Sequence, residues 1–413
     1  MAKTLTAILI GAGSRGKGYT DIMSELGDKY KIVAVAEPID SRRNYIRDKH
    51  GLPEEMCFTD YNPLLALGKI ADLAIISTMD QLHFDPAMKA ISLKYDLLLE
   101  KPVSPDPEEC LQIAMQAEKM GVHVLVCHVL RYSDMFIQLK KLLNDGAVGD
   151  IVSINHEECV GNVHQSHSFV RGNWGNSGRS SCMLLQKSCH DMDILQWLIG
   201  KKCRKVQSFG TLSYFKKENA PDGSPEYCIE GCPVGDTCPY NAVKLYLDDK
   251  KNDWFRTTCA RENDPTDDQV EKAIRTTQYG KCVFKCDNDV VDRHVVNLEF
   301  DGGAVATFTM TGLSADFCRQ LKIFGTKGQI EANMGTKEIV LHCFGGEKET
   351  IFVDVSMEGS GHGGGDFGIM RDFIRVLRDG GESRTGAAVS LQSHLICFAA
   401  EKSRTEHIVV ELF

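Results

Sequence analysis

The chain carries no excess of positive charge. With 47 Lys and Arg against 57 Asp and Glu, its formal net charge is −10 at pH 7. A nucleic acid or an anionic bilayer would be repelled overall, so a small molecule is the expected partner. Long apolar runs are missing as well, since none approaches the ~20 residues that a membrane helix needs. Nor is there a leader pattern: Met1-Ala2-Lys3 passes through a short apolar stretch directly into a glycine turn rather than to a cleavage site. The expectation is a cytoplasmic protein whose 16 cysteines are reduced thiols unless a metal gathers them. At 413 residues, 43% of them hydrophobic, the chain is long enough for two domains or three.

The residues present speak first at the amino terminus. The apolar run Leu5 to Ile10 breaks at Gly11, Gly13 and Gly16 within IGAGSRGKGY. That spacing suits a strand turning tightly into a helix whose N-terminus meets a dinucleotide pyrophosphate. Ordinary loops also contain such triplets, so context has to decide. A second run, Lys31 to Ala36, ends in Glu37, about 20 residues beyond the glycines, where a carboxylate can accept both hydroxyls of the adenine ribose. This placement favours NAD, while Arg42 and Arg43 close by keep NADP open. Further runs at Leu73 to Ile76, Leu97 to Leu99 and Val122 to Val126 alternate with helical stretches such as Asp85 to Leu93 and Pro107 to Met120. Strands alternating with helices predict a parallel sheet. Each run ends in polar or small residues: Ser77-Thr78, Glu100-Lys101 and Cys127-His128 join the glycines and Glu37 at one ligand-binding edge. Lys101, fixed by the following Pro102, would stand over the nicotinamide end of a dinucleotide; a surface lysine paired with Glu100 is the plainer alternative.

Together GAGSRG, Glu37, Ser77-Thr78 with His83, and LLLEKPVS resemble the Gfo/Idh/MocA family of oxidoreductases. The likeness continues through HVLRYSDMF (128–136), GNW (172–174), LLQKSCHDMDILQWL (184–198) and GHGGGDFGIMRDF near the carboxyl end, and so covers practically the whole chain. It implies an α/β Rossmann dinucleotide-binding domain, taken as residues 1–130. An α+β domain with a large, mostly antiparallel open sheet, residues 131–413, follows, and homodimers or homotetramers are common. It also implies that Gly11, Gly13, Ser14, Arg15, Gly16, Glu37, Arg42, Thr78, His83, Glu100 and His128 hold NAD(P), with Lys101 at the reacting carbon.

Past Asp150 the runs lengthen: Ile151 to Cys159, Val206 to Phe215, Val295 to Phe300, Ala304 to Thr311, Leu321 to Phe324 and Ile339 to Cys343. They read as a largely antiparallel sheet with one face covered by helices and the other free for a subunit partner. A helix over Leu184 to Ile199 carries Lys187, His190, Asp191 and Asp193. His190 is the candidate base, because oxidising an alcohol requires loss of the hydroxyl proton and imidazole titrates nearest neutral pH. A structural histidine bonded to Asp193 is the alternative. Relatives usually carry Asp-x-x-x-His on this helix, and Gln186 stands where that aspartate would be. It cannot take a proton, which leaves the base to His190, with Lys101 stabilising the developing alkoxide.

His164, His167 and Trp174 lie in one glycine-bearing loop suited to a sugar, which wants polar donors beside an apolar face. Arg131, Lys187 and His362 are further candidate substrate contacts, the last in the flexible Gly359-Ser360-Gly361-His362 segment, which could close over substrate. Glu158, His164, His167 and His190 have the composition of a metal site, although nothing in the family pattern requires one. A Cys-rich insert near 216–290 contains Cys228-x3-Cys232-x5-Cys238, with Cys259, Cys282 and Cys286 beyond. Thiols in an insert with little core of its own suggest a structural zinc on Cys228, Cys232, Cys238 and Cys282, or unligated or redox thiols. The expected activity is NAD(P)-dependent oxidation of a secondary hydroxyl of a sugar, cyclitol or glycoside. An NAD-retaining glycosidase working by transient oxidation and elimination, and a non-catalytic dinucleotide sensor, are the alternatives.

Overall fold

Short apolar runs closed by glycine or small polar residues become the strands of the first sheet. The computed structural model describes residues 4–355 and 361–412. Strands β1 (Leu5–Ile10), β2 (Tyr30–Ala36), β3 (Cys57–Phe58), β4 (Leu73–Ile76), β5 (Asp96–Leu99) and β6 (Val124–Val126) lie in the order β3-β2-β1-β4-β5-β6, all parallel. Strand order reverses between β1 and β4, so the carboxyl ends of these two strands open the crevice that ligands use in such sheets. Both faces are covered, as a parallel sheet requires: every residue from Leu73 to Ile76 is fully buried. One cover comes from far along the chain. The helix Gly365–Asp379 sends Phe367, Ile369, Met370 and Phe373 into the core beside Leu9 and Ile75.

The second sheet contains β7 (Ile151–Cys159), β8 (Cys203–Thr211), β9 (Arg293–Phe300), β10 (Val305–Thr311), β11 (Cys318–Gly325), β12 (Gly328–Asn333), β13 (Glu338–Cys343), β14 (Lys348–Phe352) and β15 (Val410–Glu411). Their order is β14-β13-β12-β11-β7-β10-β9-β8-β15, antiparallel throughout except for the β7–β10 pair. Along β11, Arg319, Leu321 and Ile323 turn inward while their neighbours are half exposed, the alternation of a sheet covered on one side. The cover consists of the helices Cys189–Ile199 and Ala387–Glu406, which share one core with the sheet.

Three departures from the sequence reading have physical causes. The strand expected to run to Phe215 ends at Thr211, because the Asp292 carboxylate takes the backbone N–H groups of Ser213 and Tyr214 and turns the chain away. Strand β14 is a largely exposed edge, and β12, though Ile330 and Ala332 turn into the core, is short and has no apolar run to mark it. The helix expected over 184–199 is two pieces, Met183–Gln186 and Cys189–Ile199, interrupted at Lys187 and Ser188. The insert also differs from expectation. It has a core of its own, with Tyr246, Phe255, Val270 and Ile274 buried between the helices Asp253–Ala260 and Asp267–Thr276.

Candidate active site

The glycine turn is shaped by what a side chain would strike. At Gly11, φ is +89° and an added Cβ would lie 2.8 Å from the Ser77 carbonyl carbon; at Gly16 it would lie 2.1 Å from the Gly11 carbonyl oxygen. Only glycine fits at either position. Gly13 faces open space, with Arg42 Nη1 the nearest atom, 3.8 Å from where a Cβ would be, which leaves room for a phosphate against the helix N-terminus. Ser14 begins that helix. Ser77 Oγ donates to the Gly11 carbonyl at 2.7 Å and ties the end of β4 to the turn. Glu37 is 4% exposed; its carboxylate accepts the Ala12 N–H at 2.7 Å and the Ile39 N–H at 3.0 Å. Arg43 donates to the Glu37 carbonyl and pairs with Asp40, whereas Arg42 has no hydrogen-bond or ionic partner among the described residues. These residues fit a dinucleotide: a turn without side chains, a carboxylate at the end of β2, and an unengaged guanidinium beside the phosphate position.

The end of β5 carries the most densely bonded part of the site. Glu100 accepts Lys101 N–H at 2.9 Å, Arg15 Nε at 2.7 Å and the Tyr19 hydroxyl at 2.6 Å. Burial opposes its charge, but Arg15, Lys101 and the Tyr19 bond outweigh it and hold the carboxyl below its usual range. Arg15 reaches onward to Asp366 at 2.7 Å, and Asp366 meets His362 Nδ1 at 3.2 Å. Arg15 is therefore engaged by two carboxylates, not directed at the glycine turn alone. His83 braces the neighbouring backbone, its ring lying 2.8 Å from the Pro102 carbonyl and 3.1 Å from the Thr78 carbonyl.

Lys101 Nζ donates to the Gln186 carbonyl at 2.8 Å, where the helix is interrupted. This contact brings the end of β5 to the helix bearing His190. The His190 ring is 5% exposed, 5.8 Å from the His128 ring and 5.7 Å from that of His362. Burial first, then the Lys101 ammonium and the flanking imidazoles, hold it well below the ordinary imidazole range, so it is a neutral acceptor at neutral pH. Among the described residues its Nδ1 has no hydrogen-bond partner. The bond to Asp193 considered from the sequence is not made: Asp193 instead takes Arg131 in a two-pronged pair at 2.6 and 2.7 Å. Arg131 is 5% exposed and also donates to the Arg384 carbonyl, so it holds the fold together rather than offering its guanidinium to a substrate. His128 is fully buried, and burial drives it down to about 4.

The other expected substrate contacts separate into two groups. Lys187 Nζ pairs with Glu158 at 3.0 Å and lies 5.0 Å from the centre of the Phe317 ring, and the His164 ring stands 5.0 Å from that same ring. These residues form one wall with Arg319, which bridges Glu158 at 2.8 Å and Asp191 at 2.7 Å. His167 is not brought there. It is fully buried against the core of the insert, stacked 4.1 Å from Phe255 and 3.0 Å from the Tyr246 hydroxyl. Trp174 lies against the second-sheet core, 6.1 Å from Phe169. In the glycine segment, Gly359 and Ser360 fall outside the described residues. His362 adopts a left-handed φ of +60° beside Asp366. Among the described residues no three metal-binding side chains stand together, the grouping Glu158, His164, His167 and His190 included. Cys228, Cys232, Cys238 and Cys282 nevertheless line one small cavity in the insert.

Family models match on both halves of the chain: the NAD-binding Rossmann fold of the Gfo/Idh/MocA oxidoreductases over residues 5–128 and their C-terminal alpha/beta domain over residues 140–412. The chain belongs to the Gfo/Idh/MocA oxidoreductase family. It is 26% identical to YteT of Bacillus subtilis over 322 residues, 73% of this chain and 72% of YteT. It is 24% identical to an inositol 2-dehydrogenase of Corynebacterium glutamicum over 208 residues, 50% of this chain and 58% of that enzyme. A levoglucosan dehydrogenase solved with NADH and L-sorbose superposes over the full length of both chains, with a TM-score of 0.74 and 17% identity.

One residue of this Gfo/Idh/MocA protein escaped the sequence reading. The Gln186 amide donates to the Asp80 carboxylate and, at 2.8 Å, to Ser180 Oγ, which itself donates to Asp80 at 3.0 Å. A buried carboxylate from the loop after β4 thus stands beside the position where the helix lacks its aspartate. Asp80 lies between Thr78 and His83, yet nothing in spacing alone would have directed it toward residue 186. His156, Asp191, Arg319 and Glu158 were missed as a buried charged network for the same reason: strand and helix meet only in the fold.

Proposed function

We propose that this protein is a dehydrogenase oxidising a secondary hydroxyl of a sugar, cyclitol or glycoside with NAD, NADP being the alternative cofactor through Arg42. The observation that carries the reading is the 2.8 Å bond from Lys101 Nζ to the Gln186 carbonyl, which brings the carboxyl edge of the first sheet to the helix that bears the buried His190. The similarity to an inositol 2-dehydrogenase and to a levoglucosan dehydrogenase supports a polyhydroxylated substrate. A bound nicotinamide dinucleotide, held by Gly11, Gly13, Gly16 and Glu37, supplies the hydride acceptor. His190 takes the hydroxyl proton and Lys101 donates to the oxygen as negative charge develops on it. Glu100, tied to Arg15 and Tyr19, keeps Lys101 in place. Lys187, His164 and His362 line the space for the substrate ring.

Residues 1–130 serve as the cofactor domain, completed by the returning helix Gly365–Asp379. The chain assembles as a homodimer or homotetramer through the uncovered face of the second sheet, where Phe209 and Val305 are exposed. The test is a panel of sugars and cyclitols with NAD and NADP, followed by absorbance of the reduced nicotinamide. Steady cofactor reduction on at least one polyol is expected. Cleavage of glycosides with no net reduction would replace this reading with the elimination mechanism.

A further inference from the structure

Arg171 is a buried cation without an anion. Its side chain is 2% exposed, and no carboxylate pairs with it among the described residues. Nε donates to the Lys281 carbonyl at 2.8 Å and Nη2 to the Tyr240 carbonyl at 2.7 Å, with Cys228 Sγ at 3.5 Å. Among the described residues Nη1 is buried with no hydrogen-bond partner, and the guanidinium lies 5.9 Å from the centre of the Tyr246 ring. A guanidinium stays charged at any accessible pH, so isolating one from water without a counter-charge costs several kcal/mol. The cavity it faces, about 20 Å³, is lined by Cys228, Cys232, Cys238 and Cys282 and by Ser224, whose hydroxyl is also buried and unpartnered. A short bridge between Tyr227 and Lys281 brings the first cysteine segment beside the last. While these residues are thiols they are neutral, and Arg171 leaves the pocket at +1.

We infer that Cys228, Cys232, Cys238 and Cys282 bind one zinc ion as a tetrathiolate whose negative charge is the missing counter-charge of Arg171. Zn²⁺ displaces four thiol protons to solvent and forms four Zn–S bonds, with no change of oxidation state. The four-cysteine group goes from neutral to −2, and the pocket including Arg171 from +1 to −1. The guanidinium then donates to the Cys228 thiolate, the outer-shell contact that orients metal ligands. A cavity of about 20 Å³ has room for one water-sized occupant. The sulfurs line this cavity without standing at coordination spacing, so binding draws them to about 2.3 Å from the metal and fastens residues 228–238 to the segment at 282. Cys286 lies outside the lining, its Sγ 3.5 Å from the Cys282 carbonyl.

The full-length protein, purified without chelator, is analysed by plasma mass spectrometry and zinc-edge X-ray absorption. One zinc per chain with four sulfur neighbours near 2.3 Å is expected. Cys232→Ser should lose the metal and Cys286→Ser should keep it. Arg171→Met should bind zinc about 10-fold more weakly in competition with a chromophoric chelator. Native protein that contains no zinc and takes none up, or that holds iron instead, overturns the assignment. Where Cys232→Ser does not fold, the metal content and absorption spectrum of the native protein decide the matter by themselves.

Discussion

Replacing Lys101 by methionine tests the proposed chemistry most directly. Methionine matches the length of the lysine stem but removes the ammonium that lies 2.8 Å from the Gln186 carbonyl. If Lys101 donates to the oxygen that gains charge, its loss resembles removal of one oxyanion donor, about 2.7–4 kcal/mol or a 10²- to 10³-fold fall in kcat. The structure adds a second, independent readout. After burial, the Lys101 ammonium is the next largest cause of the depressed His190 pKa. Without it, protonated His190 is less disfavoured and the pKa rises toward the ordinary imidazole value. Since the base must be neutral, the acid limb of the kcat/KM profile should move to higher pH. Cofactor affinity, measured by fluorescence titration, should change little, because Glu37 and the glycine turn keep their own contacts and none of these uses the Lys101 ammonium. Near-normal turnover, or a slow variant whose acid limb stays in place, would refute the assignment of Lys101 and His190 to one reacting centre.

Other expectations follow from contacts elsewhere in the site. Glu37→Gln should weaken NAD binding about 10-fold and shift preference toward NADP, because the nearby Arg42 is unengaged; equal affinities in wild type and variant would remove Glu37 from cofactor selection. Asp193→Asn strands the buried Arg131 guanidinium and should cost about 3–5 kcal/mol in urea unfolding. A fully stable variant with a raised KM would instead return Arg131 to the substrate. For pH dependence, burial lowers His128 from 6.5 to about 4 and His394 from 6.5 to about 3. Above the unfolded value of 6.5 their contribution to stability is fully present. As pH falls from there toward about 4, the unfolded chain takes up protons that the native state refuses, so stability declines. The urea midpoint should therefore drop already between about pH 6.5 and 5, before most carboxylates titrate; a flat midpoint over that interval would show that these rings are not held neutral.

The first sheet was legible because its strands are short, wholly buried and closed by residues with a local duty. Gly11 and Gly16 sit where backbone meets backbone, and such places leave a mark in composition. The placement of Lys101 at a strand end and of His190 on a helix was legible for a similar reason, since each lies in a recognisable local pattern. The second sheet was read in outline, but β14 was missed because an exposed edge strand need not alternate, and β12 because its only large apolar residue is Ile330. The surroundings of the candidate substrate residues were the least legible. His167 and Arg131 looked available as residue types, yet one stacks on Phe255 and the other holds Asp193.

By itself the sequence determined the dinucleotide turn, the alternation of strand and helix, and which residue types end each strand, because all of these depend on neighbours a few positions away. Only the tertiary structure decided which side chains remain available for chemistry. Asp80 meets Gln186 across 106 residues, Arg15 meets Asp366 across 351, and Arg171 is buried among cysteines without a carboxylate. Those outcomes depend on which charges folding removes from water together, and no local pattern records that.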